Sequence, residues 1–253
     1  MRVLVTGGAR RIGATIVRYL VAAGHAVAVH HHDSHHEAAA LAAELGVALV
    51  TADLAHAAET RGLVQAAAEA LGGPVEGLVN NASLFAWDAL PLADYAAIDR
   101  HMHVNLGAPL LLASAFAAQT SLAEGAIVNL LDQKLANPNP DFLTYTLSKA
   151  ALAEATRLLA MALAPRIRVN AVSPGLSLPS LDQGEAEFAD VASRNLLARP
   201  VDLADIARAV EHLLTARSIT GQNVFVDCGQ RFVRREGDVM FEGRARPAGH
   251  PHG

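Results

Sequence analysis

A glycine-rich turn, Thr6-Gly7-Gly8-Ala9-Arg10-Arg11-Ile12-Gly13, stands directly after the short run Arg2 to Thr6 and opens a helical stretch that reaches to about Ala23. This strand, turn, helix order constrains the fold more than any other feature of the chain. Gly7 and Gly8 permit backbone conformations barred to residues with side chains, and Gly13 lets the helix pack closely. The first helical turn leaves N–H groups without intrahelical partners, a setting that suits a pyrophosphate. The rhythm then repeats: Ala26 to His30 reads as a second strand, followed by a helix to about Leu45. Continuous apolar runs at Gly77–Asn80, Ala126–Leu130 and Arg168–Val172 suit strands buried on both faces. The chain reads as α/β, with a doubly wound parallel sheet.

Composition narrows the function. With 253 residues, 52% of them hydrophobic, the chain can build one sizeable core. No internal repeat or linker divides it, so residues 1–229 read as one domain. Residues 230–253 form a polar, Arg-rich tail, expected to be poorly packed or docked on a neighbouring subunit. A net charge of -5 and a pI near 6.2 provide no basic field for nucleic acid, which leaves a small molecule as the partner. One cysteine, Cys228, excludes an internal disulfide, and the chain opens on a strand rather than a signal peptide. A cytoplasmic setting is expected. No apolar run approaches the roughly 18 residues a membrane helix needs.

Five motifs occur in order: the glycine turn, Asn80-Asn81-Ala82-Ser83, Asn105, Tyr145-Thr-Leu-Ser-Lys149 and Pro174-Gly175. From residue 2 to about 229 the chain resembles the short-chain dehydrogenase/reductase family, and within it the pteridine reductases. The resemblance implies a Rossmann-like sheet of about seven strands, a homotetramer, and a nicotinamide cofactor. It places Gly7, Arg10, Arg11, Ile12, Gly13, Asn81, Ala82, Ser83, Pro174 and Gly175 against that cofactor. It sets Asp53 and Leu54 beside the adenine, and gives Lys149 the nicotinamide ribose. Asn105 is implied to hold a water on the proton path to Lys149.

Tyr145 and Lys149 are an i,i+4 pair and share one helix face. A free phenol titrates near 10, and a neighbouring ammonium is expected to lower that value. Asp132 lies at the end of the fifth strand, where the family's carbonyl reductases have serine and pteridine reductases have aspartate. An ionised carboxylate accepts from a tyrosine hydroxyl or a substrate N–H, and a carboxyl with a raised pKa can hand a proton on. Pterins are rich in N–H donors. Arg11 stands where most family members keep a middle glycine and pteridine reductases also carry arginine; its reach covers pyrophosphate and pterin. Phe85, in Asn81-Ala82-Ser83-Leu84-Phe85, is the candidate to stack on the pterin ring. Catalytic roles thus fall to Asp132, Tyr145, Lys149 and Asn105. Substrate contacts fall to Arg11, Phe85, Asp132 and Tyr145, with Leu176 and Ser177 from the loop running to Phe188.

Cofactor choice rests on His30-His-His-Asp-Ser-His-His36. His32 and Ser34 match positions that resemble 2'-phosphate binders, and Arg10 or Arg11 adds positive charge, which favours NADPH. Asp33 opposes it, because an acid at this strand end often selects NADH. Despite the histidines, no carboxylate or cysteine set completes a tetrahedral metal site, and no metal is expected. His101 and His103 read as packing residues, Cys228 as a small buried side chain, and Arg231, Arg234 and Arg235 as groups that reach a neighbour's active site. The best-supported reading is NADPH-dependent reduction of a dihydropterin to a tetrahydropterin. Two others stay open: a short-chain reductase acting on a carbonyl, and a non-catalytic nucleotide sensor.

Overall fold

The computed structural model describes residues 1–88, 90–92, 94–179, 184–235 and 237–238, with the backbone alone at 185–187. Its centre is a sheet of seven parallel strands in the order β3-β2-β1-β4-β5-β6-β7. The strands are β1 (Arg2–Val5), β2 (Ala26–His31), β3 (Ala48–Thr51), β4 (Gly77–Asn80), β5 (Gly125–Leu130), β6 (Ile167–Pro174) and β7 (Asn223–Val226). The middle strands are the apolar ones for a reason: every residue of β4 and of β5 is buried, because helices cover both faces.

The helices are α1 (Arg11–Ala22), α2 (His35–Leu45), α3 (Ala57–Ala70), α4 (Ala96–Met102), α5 (Ala108–Ala117), α6 (Leu143–Leu163), α7 (Glu185–Ala192) and α8 (Leu203–Thr215). One core packs α1 and α8 on one sheet face, with Ile16, Leu20, Ile206 and Leu213 fully buried. The other packs α3 and α5 on the opposite face around Leu63, Leu112 and Phe116. From β1 the sheet grows one way through β2 and β3 and the other way from β4 onwards, so strand order switches between β1 and β4, and a crevice opens at their carboxyl ends.

The segment after Gly229 packs onto its own chain as far as it is described. Gln230 is buried and accepts from the Leu176 N–H at 2.9 Å. Asn137 donates to the Val233 carbonyl at 2.6 Å, and Arg235 to the Arg194 carbonyl at 2.8 Å. Residues 239–253, most of the expected tail, lie outside the described residues, as do 180–183 of the loop after Gly175. Among the described residues no helix is long and apolar enough to cross a membrane.

Candidate active site

The glycine turn is shaped by what surrounds it. Gly7 has φ +59, and a Cβ there would meet the Ala82 Cα at 2.9 Å. A Cβ on Gly13 would lie 2.2 Å from the Gly7 carbonyl and 2.7 Å from Asn81 Nδ2, so strand, turn and α1 close up only with glycine at both places. Asn81 locks the arrangement by donating to the Thr6 and Gly7 carbonyls at 2.9 and 3.0 Å. The Thr6 hydroxyl in return accepts the N–H groups of Asn81 and Ala82. Helix α1 has neither a side-chain cap nor an acid in its first turn, leaving its positive end free for an anion.

Arg11 begins α1 with φ +53, in the left-handed region that glycine occupies at no steric cost. The family's usual glycine therefore has a backbone reason, which Arg11 overrides. Its guanidinium donates to the Pro179 carbonyl at 3.0 Å, tying the turn to the loop after β6.

A cleft of about 690 Å³ runs along these residues. The expected cofactor contacts Gly7, Arg10, Arg11, Ile12, Gly13, His32, Ser34, Asp53, Leu54, Asn81, Ala82 and Ser83 all line it. His103, read from sequence as a packing residue, lines it as well, beside Arg100. Pro174 and Gly175 end β6 outside that lining, with the Gly175 N–H bonded to the Val226 carbonyl at 2.9 Å. Leu176 and Ser177 follow them, and the Leu176 carbonyl accepts from Val201. At the end of the cleft next to β2, Asp33 faces solvent and lies 3.4 Å from His32, while Arg10 lies 3.8 Å from Glu37.

Beyond the cleft lies a polar assembly around Tyr145. Its hydroxyl donates to Asp132 Oδ2 at 2.8 Å, and Asp132 Oδ1 accepts the Lys134 N–H at 2.8 Å. The second bond caps the short 3-10 turn Gln133–Ala136, so Asp132 is held by the strand end and the turn it starts. Lys149 donates to the Leu130 carbonyl at 2.8 Å, with its ammonium 5.9 Å from the centre of the Tyr145 ring. Burial lowers Lys149 to about 8 and raises Asp132, whose own negative charge partly restores the lysine.

Tyr145 corrects the sequence expectation. Its pKa is held well above the phenolic value, first by burial and then by the negative charge of Asp132, to which it donates. A phenol whose proton is already given to a carboxylate has little to gain from ionising, and the ammonium does not reverse that.

Asn105 sits in a π-helical turn, His103–Gly107, between α4 and α5. Its amide donates to the Leu84 carbonyl at 2.9 Å and to Ser148 Oγ at 3.0 Å. Its oxygen accepts the Leu84 N–H at 2.8 Å and the Ser83 hydroxyl at 3.2 Å. Asn105 therefore anchors the Ser83-Leu84 strand exit to α6 at Ser148, the residue next to Lys149. Phe85 leaves that exit about half exposed, stacked on Phe142 at 4.2 Å and edge-on to Tyr145 at 4.7 Å.

Several site residues are not recognisable from sequence alone. Phe142, at φ +54 before α6, completes an aromatic shelf with Phe85 and Trp87. Asp88, from the loop after β4, caps α6 by accepting the Thr144 N–H at 3.1 Å and its hydroxyl. His101 is buried, accepts the Ala86 N–H through Nε2, and lies 2.7 Å from the Thr144 hydroxyl. Desolvation lowers its pKa, so it stays neutral in a structural network. Cys228 is only partly buried and has φ +50, so it fills a backbone position suited to glycine.

The family model described as Enoyl-(Acyl carrier protein) reductase matches residues 7–231. The chain belongs to the short-chain dehydrogenase/reductase family. As a short-chain reductase it is 34% identical to the granaticin polyketide synthase putative ketoacyl reductase 2 of Streptomyces violaceoruber, over 91% of this chain and 96% of that one. It is 29% identical to the dihydromonapterin reductase of Shigella sonnei, over 90% of this chain and 95% of the relative. Among solved structures, the FolM alternative dihydrofolate reductase 1 of Brucella suis in complex with NADP is 42% identical, with a TM-score of 0.88 over 96% of this chain and 98% of that one.

Proposed function

We propose that this short-chain reductase uses NADPH to reduce a dihydropterin to a tetrahydropterin. The observation that carries the reading is the Tyr145 to Asp132 hydrogen bond at 2.8 Å. A carboxyl replaces the serine of carbonyl reductases and is coupled to the tyrosine, which suits protonation of a ring nitrogen and acceptance of substrate N–H groups. The relatives named for dihydromonapterin and dihydrofolate reduction support it.

The residues fit a dinucleotide. Gly7 and Gly13 sit where a Cβ would clash, and the uncapped start of α1 suits the pyrophosphate. Arg10, Arg11, His32 and Ser34 suit the adenosine 2'-phosphate, with Asp53 and Leu54 beside the adenine; the NADP complex of the Brucella relative supports this over NADH despite Asp33. When bound, the reduced nicotinamide supplies the hydride for the carbon of a C=N bond. Tyr145 delivers the proton to the nitrogen and is replenished through Asp132. Lys149 orients the ribose and keeps a positive charge beside the phenol, and Asn105 fixes the helix turn that carries the lysine. Phe85 and Phe142 form the shelf on which the pterin stacks, and Arg11 with Leu176 and Ser177 closes the opposite side.

The exposed side chains Leu147, Leu158 and Met161 on α6 and Leu110 on α5 suit burial in a homotetramer, and the lone Cys228 suits a reducing cytoplasm. The ketoacyl reductase relative favours a second reading, reduction of a carbonyl. NADPH oxidation with dihydromonapterin or dihydrobiopterin, run beside simple ketones and an Asp132→Ser variant, separates the two. Turnover of pterins that is lost in the variant supports the proposal. Turnover of ketones alone overturns it.

A further inference from the structure

Of the five histidines at and after the end of β2, His30 and His31 are buried and the other three exposed, and His30 is the one that bonds the glycine turn; it is 2% exposed. Its Nδ1 lies 3.1 Å from the Gly7 N–H, and its Nε2 lies 3.0 Å from the Ala52 carbonyl. A backbone N–H can only donate and a carbonyl can only accept, so both partners dictate one neutral tautomer: Nδ1 bare, Nε2 carrying the proton. The His30 carbonyl also accepts from Gly8, at 3.0 Å, so one residue holds two consecutive amides of the turn.

We propose that His30 is a positioning residue for the nucleotide-binding turn, and that its protonation releases the turn and with it the dinucleotide. The inference rests on the cofactor reading above. A proton on Nδ1 would set an N–H against the N–H of Gly7. The turn cannot yield towards β4, because Gly7 already packs against Ala82 so closely that a Cβ would lie 2.9 Å from its Cα. The protonated ring therefore pushes Gly7 out of the position that the start of α1 requires.

The charged and titratable groups around the ring are His31 at the end of its own strand and His32 just past it, Asp53 just after β3, and Arg10 and Arg11 on the same cleft. Burial, the largest effect, keeps His30 below the ordinary imidazole value; the bond to the Ala52 carbonyl opposes it, the neighbouring imidazoles act with it, and Asp53 opposes it more weakly. The neutral form thus holds through neutral pH, and the switch lies on the acid side of about 6.5.

The test compares wild type with His30→Asn, whose amide oxygen can accept from Gly7 but does not titrate, and with His30→Leu, which fills space without an acceptor. NADPH affinity is read from nicotinamide fluorescence across a pH series, with circular dichroism as the check on folding. Wild type is expected to lose about tenfold or more of its affinity on acidification relative to His30→Asn, the size of one buried donor left without an acceptor. His30→Leu is expected to bind weakly at every pH. The other histidines and the 2'-phosphate are common to all three proteins and cancel in the comparison. Parallel curves for wild type and His30→Asn would overturn the proposal, as would full affinity in His30→Leu. Absence of NADPH binding by wild type at any pH would instead overturn the cofactor reading.

Discussion

The Tyr145 hydroxyl and the Asp132 carboxylate share a hydrogen bond of 2.8 Å in which burial raises both pKa values, so the pair holds its proton more tightly than either group would in water. Asp132→Asn keeps the shape and removes the charge. Turnover is expected to fall by about 10²- to 10⁴-fold, the range for losing a positioned acid. Stability moves the other way, and the sign follows from linkage. An acid whose folded pKa is raised is protonated in both states at low pH, where it contributes nothing. As pH climbs past the ordinary aspartate value, the unfolded chain ionises first and the fold is penalised. The variant should therefore melt higher than wild type at neutral pH, with the gain vanishing in acid. Paired melting curves at the two pH values check it, and equal gains at both would contradict it.

Lys149 predicts a second pH dependence. Burial depresses it to about 8, so the ammonium is lost in the folded protein well before an ordinary lysine at 10.5 would lose it. Below about 8 the charged, buried group weighs against folding; above it the folded state gives up the proton, the unfolded chain keeps it, and this group's penalty fades. Activity needs the charge. The rate at saturating NADPH is expected to fall along an alkaline limb near 8, whereas a limb near 10.5 would contradict the burial argument.

The positions of Asp132, Tyr145 and Lys149 were readable because strand end, loop length and the i,i+4 spacing are local properties of the chain. The glycine turn was readable for the same reason. The sign of the Tyr145 shift was not, because it depends on how completely the pair is buried and on where its hydroxyl points. Nor was the partnership of Asp88 with Thr144, residues 56 apart in sequence and joined only by the loop after β4. Phe142 looks like any apolar residue before a helix; its left-handed backbone and its stacking on Phe85 emerge only in three dimensions.

Long-range pairing also sets the third prediction. Lys134 is almost wholly buried, donates to the Asp141 carbonyl at 2.6 Å and pairs with Asp238 at 3.0 Å. Its main-chain N–H simultaneously holds Asp132. Removing one member of a buried pair takes the opposite charge away from the other, which costs up to about 3 to 5 kcal/mol in well-enclosed cases. Lys134→Met should therefore destabilise the protein by more than Asp238→Asn does, since the lysine in the second variant keeps the Asp141 carbonyl and gains an amide oxygen as acceptors, whereas the carboxylate in the first faces an apolar side chain. The double variant should recover part of the loss. Chemical denaturation of the four proteins yields the coupling, and strictly additive effects would show that the pair is not linked.

Arg11 joins backbone strain to substrate contact. Holding a residue with a side chain in the left-handed region costs about 1 to 2 kcal/mol. Arg11→Gly relieves that, but the more flexible unfolded chain takes back about 0.5 to 1 kcal/mol. The two effects nearly offset, so stability should move by less than about 1.5 kcal/mol, upwards if at all. The functional change should be larger. Without the 3.0 Å bond to the Pro179 carbonyl, the loop after β6 loses its tie to the glycine turn. The KM for dihydropterin is expected to rise several-fold, with NADPH affinity changing less because the uncapped start of α1 remains. Steady-state kinetics with each substrate varied in turn separate these effects. A rise confined to the KM for NADPH would mean that Arg11 serves the cofactor alone.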